Sequence, residues 1–304
     1  MRNLISAEDL NKEQINSIFE KTKKIKNGKS VGVPPQGAVG LLFYENSTRT
    51  KLSFEIATKS LNLNVLDLLM DTSSVKKGES LKDTAKTLID LGCRLLILRH
   101  SHSGAALRLA KELEQLPVGI INGGDGMHQH PTQALIDVFT ISELEKNLKG
   151  LKVSIVGDCL HSRVARSNIA LMKTLGISVT LIGPKQLVPK EMEKLGVEVS
   201  HDLREGLKGS NYVMVLRAQK ERMLKNFEIE PEEYCKHFRI SWEVLAQSGL
   251  DLQKVKILHP GPVNRGFEIC SNLVDQDDFS LIDTQVKNGF FVRKALIHEI
   301  LGNI

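Results

Sequence analysis

Short apolar runs alternate along the chain with stretches of helical period, and that alternation predicts the elements. Residues 39–44, Val-Gly-Leu-Leu-Phe-Tyr, form an unbroken apolar run, the mark of a buried strand. In 52–61, Phe54, Ile56, Ala57 and Leu61 recur at helical spacing, so a helix follows. The same reading predicts strands at 64–69, 95–98, 118–121, 153–156, 178–182, 212–216 and 255–258. Helices are expected over 7–26, 80–90, 104–113, 132–148, 164–175 and 284–301. Shorter pieces fall at 189–195 and 202–208, and a broken helical stretch at 231–249. A Gly-rich loop occupies 122–130 and a charged one 219–230. Residues 259–266, with two prolines and two glycines, can hardly be helical.

Strands alternating with helices in both halves predict an α/β protein with two domains. Each is expected to be an open, mostly parallel sheet flanked by helices, with a cleft between them. The pattern restarts at Gly150, after the 132–148 helix, which serves as the strut. The domains are therefore expected at 1–149 plus the C-terminal helix 285–304, and at 150–284.

Ligands in open α/β sheets bind beyond the carboxyl ends of the strands. The residues at such ends are Ser47 to Thr50, Arg99, His130, Arg163, Arg217 and His259. Ser47-Thr48-Arg49-Thr50 sits where a strand hands over to a helix N-terminus. Unpaired N–H groups and the positive end of the helix dipole converge there. One hydroxyl would suffice for a cap. Three hydroxyls and a guanidinium point to an oxyanion, most simply phosphate. Any one strand-end arginine is an ordinary surface residue; four of them predict a site for multiply anionic small molecules.

Composition narrows the partners. The chain has 304 residues, 41% hydrophobic and 25% charged, with Lys plus Arg at 41 against Asp plus Glu at 36. That mild excess does not argue nucleic acid, and the densest cationic run, 21–29, reads as a solvated helix end. No apolar stretch reaches the ~18 residues of a membrane span. The N-terminus lacks a secretory apolar region, and Cys93, Cys159, Cys235 and Cys270 show no Cys-x-x-Cys, so a reducing cytoplasm is expected. The pairs His100/His102 and His128/His130 invite a metal, yet a zinc site needs further ligands that no neighbouring motif supplies. No Gly-x-Ser-x-Gly, Walker A or Gly-x-Gly-x-x-Gly sequence occurs. No metal and no cofactor is expected.

Ser47-Thr-Arg-Thr50 followed by Ser53-Phe-Glu, and His130-Pro-Thr-Gln-Ala-Leu-Ile-Asp137, resemble the two signatures of the aspartate/ornithine transcarbamylase family. The resemblance covers essentially the whole chain. His161-Ser-Arg-Val-Ala-Arg-Ser167, Leu216-Arg-Ala-Gln-Lys-Glu-Arg222 and His259-Pro-Gly-Pro-Val-Asn-Arg-Gly266 look like the aspartate carbamoyltransferase catalytic chains. The ornithine branch's His-Cys-Leu-Pro and Ser-Met-Gly motifs are not in the sequence.

The resemblance implies carbamoyl phosphate held by the first domain and L-aspartate by the second. It implies Ser47, Thr48, Arg49 and Thr50 on the phosphate; Thr50, Arg99 and His130 on the carbamoyl oxygen; and Gln133 on the carbamoyl amide. Gly261 and Pro262 supply backbone contacts to carbamoyl phosphate, where its carbonyl meets the incoming amine. Lys77, Arg163, Arg217 and Gln219 take aspartate. Ser73 and Lys77 enter a neighbouring subunit's site, which implies a homotrimer. Relatives associate with regulatory chains or with dihydroorotase, so a higher assembly is an open expectation. The reaction implied is direct attack by the aspartate amine with oxyanion stabilisation and domain closure, giving N-carbamoyl-L-aspartate for pyrimidine synthesis. The alternatives are a transcarbamylase for another amine such as ornithine, an inactive scaffold subunit, and a plain anion-binding protein. Lys51 departs from the family's second arginine, keeping the charge and losing the fork. His128, where the family has asparagine, has no reading from sequence.

Overall fold

The computed structural model describes residues 1–32, 36–68, 78–218 and 229–304. The chain forms two compact units: Met1–Phe139 with Val286–Ile304, and Thr140–Gln285.

In the first unit the strands are β1 (Asn3–Leu4), β2 (Ala38–Phe43), β3 (Asn64–Asp67), β4 (Cys93–His100) and β5 (Gly119–Asp125). They pair in parallel in the order β1-β5-β4-β2-β3. All six residues of β2 are buried, the pattern of a parallel strand covered on both faces. The connecting helices are α1 (Lys12–Lys26), α2 (Thr48–Lys59), α3 (Leu81–Asp90), α4 (Ala105–Glu112) and α5 (Pro131–Ser142). Leu42, Leu96, Leu98, Ala106 and Leu109 centre one buried cluster. The C-terminal helix, Ile282–Leu301, belongs to this unit from Val286 onward.

The second unit repeats the scheme with β6 (Lys152–Val156), β7 (Ser178–Ile182), β8 (Glu198–Ser200), β9 (Tyr212–Val215) and β10 (Lys256–Leu258). The order is β10-β9-β6-β7-β8, again parallel. Its helices are α6 (Arg163–Leu175), α7 (Leu203–Leu207), α8 (Pro231–Phe238), α9 (Trp242–Gln247) and α10 (Ser271–Val274). Val156, Ile182, Val213, Ile257 and Leu273 lie in its core.

Some elements differ from expectation, each for a local reason. The single helix expected over 7–26 is a 3-10 turn, Ala7–Asp9, and then α1. Ser6 with Asp9 and Asn11 with Gln14 form separate capping boxes, so one amphipathic run holds two helix starts. The helix expected from 132 to 148 ends at Ser142, and Leu144 beyond it is 52% exposed. The loop expected from 122 is partly strand: β5 runs to Asp125, and its glycines and polar residues are all buried. β8 has no apolar run to announce it, being exposed or half-buried throughout. No helix among the described residues is long and apolar enough to cross a membrane.

Candidate active site

β2 delivers the chain to the start of α2. The helix begins at Thr48, four residues earlier than its apolar period suggests. Ser47 is its N-cap and accepts from Thr50 N at 3.4 Å. No acidic side chain occupies the first turn, so the positive end of the helix is left uncompensated by its own residues. Thr48 and Arg49 are exposed, Ser47 is half-buried and Thr50 is buried. Lys51 pairs with Asp67 at 2.8 Å, at the end of β3. That contact accounts for the lysine: its charge is committed to the neighbouring strand.

Arg99 is the last residue but one of β4 and the register partner of Phe43. Its Nη1 donates to Gly123 O at 3.1 Å and its Nη2 to Glu45 Oε1 at 3.2 Å. A third arginine lies close by. Arg293, on the C-terminal helix, donates to Ser53 Oγ and sits over the Phe54 ring, 5.0 Å from its centroid. Burial, and next the charge of Arg99, push the Arg293 guanidinium down to about 9, with Asp137 pulling the other way. Ser53 in turn donates to Thr50 O at 3.1 Å, so Arg293 buttresses the first turns of α2 from below.

The segment before α5 is organised by Asp125, which is fully buried. Its Oδ1 accepts from Asn122 Nδ2 at 2.8 Å and Gln129 N at 3.0 Å, and its Oδ2 from Gly104 N at 2.7 Å. His128 Nδ1 lies 3.1 Å from the same Oδ2, which gives that histidine a place. Gly126 turns the chain at φ +47°; a Cβ there would meet Ser103 Oγ at 2.4 Å and Ser103 N at 2.5 Å. This wiring sets His130, 5% exposed, directly before Pro131 at the start of α5. Thr132 Oγ1 lies 3.4 Å from His130 Nδ1, and Gln133 Nε2 donates to Asp137 at 2.7 Å. Because β5, β4 and β2 are adjacent, Ser47–Thr50, Arg99 and His130 share one sheet edge. What gathers there is a set of N–H, hydroxyl and cationic donors, the kinds of group an oxyanion needs.

In the second unit the corresponding edge is built from β6, β9 and β10. Arg163 is the first residue of α6, which Ser162 caps by accepting from Ala165 N at 3.1 Å. Ahead of it, Asp158 Oδ1 holds His161 through both its N–H (3.1 Å) and Nδ1 (2.9 Å). Arg217 is exposed just past β9. His259 follows β10, fully buried, with Nε2 3.2 Å from Glu268 Oε1. Gly261 and Pro262 come next at the surface of this loop. Two guanidiniums at one sheet edge suit a small dianion.

Ser73, Lys77 and Gln219 lie outside the described residues. The expected His100/His102 pair meets edge to face, ring centroids 4.9 Å apart and planes 66° apart, with His102 N donating to His100 Nδ1 at 2.9 Å. Among the described residues no three His, Cys, Asp or Glu side chains gather into a possible metal site. Sequence reasoning missed Glu45, Asp125, Arg293 and Glu268. Asp125 had a signal, an acid flanked by glycines that pack too tightly for loop. Arg293 had none: Ser53 is 240 residues away.

Two family models divide the chain between them. Residues 2–143 match the carbamoyl-P binding domain of aspartate/ornithine carbamoyltransferases, and 149–300 match the Asp/Orn binding domain. The chain belongs to the aspartate/ornithine carbamoyltransferase family. Within it, two similar curated proteins are of the aspartate kind. The aspartate carbamoyltransferase catalytic subunit of Rhodospirillum rubrum is 47% identical over 263 residues, covering 86% of this chain and 81% of that one. That of Caulobacter sp. strain K31 is 43% identical over 304 residues, covering 98% and 89%. Among solved structures, the catalytic subunit of M. jannaschii aspartate transcarbamoylase superposes with a TM-score of 0.84 at 30% identity, covering 100% and 99% of the two chains. Aspartate transcarbamoylase from Trypanosoma cruzi, in complex with N-(phosphonacetyl)-L-aspartic acid, superposes with a TM-score of 0.83 at 27% identity over 98% and 95%.

Proposed function

We propose that the chain transfers the carbamoyl group of carbamoyl phosphate to the amine of L-aspartate. The observation that carries this reading is the pairing of Arg99 with Phe43 in register. It sets a buried guanidinium at the strand edge that leads into the start of α2, which supports a site where an electrophile and its phosphate need donors together. The family match and the aspartate-type relatives support the same substrates.

In the first unit, Ser47, Thr48, Arg49 and Thr50 grip the phosphate. Thr50, Arg99 and His130 donate to the carbamoyl oxygen, and Gln133 orients the carbamoyl amide. In the second unit, Arg163 and Arg217 each take one aspartate carboxylate, joined by Gln219. Gly261 and Pro262 offer main-chain groups to the reacting end. Ser73 and Lys77 complete the site from a neighbouring copy. The aspartate ammonium first loses a proton to solvent. The neutral amine then attacks the carbamoyl carbon, forming the C–N bond and a tetrahedral oxyanion held by Arg99, His130 and Thr50. The C–O bond to phosphate breaks, and the second amine proton leaves with the phosphate. The products are N-carbamoyl-L-aspartate, an early intermediate of pyrimidine synthesis, and phosphate. The chemistry calls on no metal or cofactor.

A homotrimer in the cytoplasm is the working form on this reading. Leu52 and Ile56, one turn apart on α2 and 49% and 55% exposed, offer a second copy an apolar strip beside the site. The test is turnover of carbamoyl phosphate against aspartate, ornithine and acetylornithine, with the mass of the same sample measured in solution. Aspartate turnover by a trimer-sized or larger species is expected; turnover of ornithine alone, or full activity in a monomer, would overturn the assignment or the oligomer respectively.

A further inference from the structure

Glu268 is completely buried, and one of its oxygens does the work of two bonds. Oε1 accepts from Asn264 N at 2.6 Å and lies 3.2 Å from His259 Nε2. Gly261 N donates to His259 Nδ1 at 2.8 Å, which leaves the ring proton on Nε2, directed at Glu268. His259 N donates to Gln285 Oε1 at 2.9 Å, so the ring is fixed from its own backbone as well. A single carboxylate oxygen thus pins both ends of the 259–264 segment.

Asn264 extends the connection to the next strand. Its Nδ2 donates to Ala218 O at 2.8 Å, the residue after Arg217. Glu268 itself is anchored: Ile240 N donates to Glu268 O at 3.0 Å, and Tyr234 stacks on Phe267 with ring planes 15° apart. The end of β9 and the loop after β10 are therefore held to one buried acid.

We propose that Glu268 and Asn264 are positioning residues of the amine-substrate subsite: through His259 they fix the 259–264 loop, and through Ala218 they set where Arg217 presents its guanidinium. This rests on the reading of Arg217 and that loop as the subsite for aspartate. Neither residue touches substrate. Their effect appears chiefly in how the amine is held, since the grip on carbamoyl phosphate is assigned mainly to the other unit.

The test is steady-state kinetics of the full chain with each substrate varied separately, on Glu268→Ala, Glu268→Gln and Asn264→Ala, with carbamoyl phosphate binding measured by calorimetry. The preferred amine is fixed first with the wild type. Glu268→Ala should raise KM for the amine about tenfold, because it strands two donors, and Asn264→Ala about fivefold, the loss of one neutral bond. Glu268→Gln, whose amide oxygen still accepts, should recover most of the loss. Carbamoyl phosphate affinity should change much less, within about twofold, because Ser47–Thr50, Arg99 and His130 are the same in every variant. If Glu268→Ala does not fold, Asn264→Ala and Glu268→Gln decide the matter. An unchanged KM in Asn264→Ala and in the Glu268 variants that fold, or an equal loss of carbamoyl phosphate binding, overturns the proposal. A wild type that prefers another amine refutes the aspartate reading alone, since KM for that amine still reports positioning. A wild type that carbamoylates none refutes both.

Discussion

Arg99 and Glu45 meet across the ends of two neighbouring strands, with Nη2 3.2 Å from Oε1. The pair is lopsided: the arginine side chain is 9% exposed and the glutamate 37%. A buried guanidinium leans on a partly solvated acid on one side and on Gly123 O on the other. Its position is fixed before any substrate arrives, as an oxyanion donor requires.

Removing that donor should cost rate above all. Arg99→Ala is expected to lower kcat by about 10²–10³-fold. Arg99→Lys should fall between, since it keeps charge and loses the fork. Glu45→Gln, which still accepts the bond, should lose less than either. Initial rates at saturating substrate check the order; an Arg99→Ala enzyme within a fewfold of wild type would contradict the role.

The first turn of α2 separates binding from stability. Arg49→Ala should weaken carbamoyl phosphate about 10- to 100-fold, the loss of charge-assisted bonds, with no change in melting temperature because the side chain is exposed. Ser47→Ala removes the N-cap as well and should also destabilise the fold by about 1 kcal/mol. Calorimetry and thermal melts on both variants check this. An Arg49→Ala protein that melts early yet binds normally would reverse the assignment.

Asp125 is the reverse case, a residue whose work is structural. Asp125→Ala removes the acceptor of Gly104 N and Gln129 N and one of the two acceptors of Asn122 Nδ2, in a buried setting. A loss of about 3 kcal/mol or more is expected. His128→Asn should be nearly silent in stability, its ring being half-exposed and its one acceptor still served by others. Urea unfolding of the two variants measures the contrast.

Stability should also decline on the alkaline side for an identifiable reason. Burial raises the Cys93 thiol to about 11 from its ordinary 9.0. The unfolded chain then loses the thiol proton before the folded one does. The stabilisation is complete below pH 9.0 and is lost as pH rises through about 11. Buried Tyr234 and Cys159 shift in the same direction, also chiefly through burial. Cys93→Ala should flatten the fall of unfolding free energy between pH 9.0 and 11, measured by denaturant titration at each pH. An identical slope in wild type and variant would show that Cys93 does not contribute.

Much of the fold was legible because the parallel strands are continuous apolar runs, 39–44 and 95–98 above all. The placement of Ser47–Thr50 and Arg99 at strand ends was legible because apolar runs stop just before them. Two kinds of feature were not. β5 beyond Ile121 is glycine and polar, and its burial rests on hydrogen bonds such as those of Asp125 and Asn122. Arg293 and Glu268 act through tertiary contacts that no local pattern encodes. The break between Ala7–Asp9 and α1 was written in two overlapping caps, which helical periodicity alone averages away.

The most direct test of the central claim is isothermal and kinetic in one sample. The purified chain receives carbamoyl phosphate with aspartate or with ornithine, and ureido product and phosphate are counted together. N-carbamoyl-aspartate and phosphate in equal amounts, with no product from ornithine, is the predicted result. Citrulline formation without carbamoyl aspartate, or phosphate release with no carbamoylated product from either amine, would contradict it.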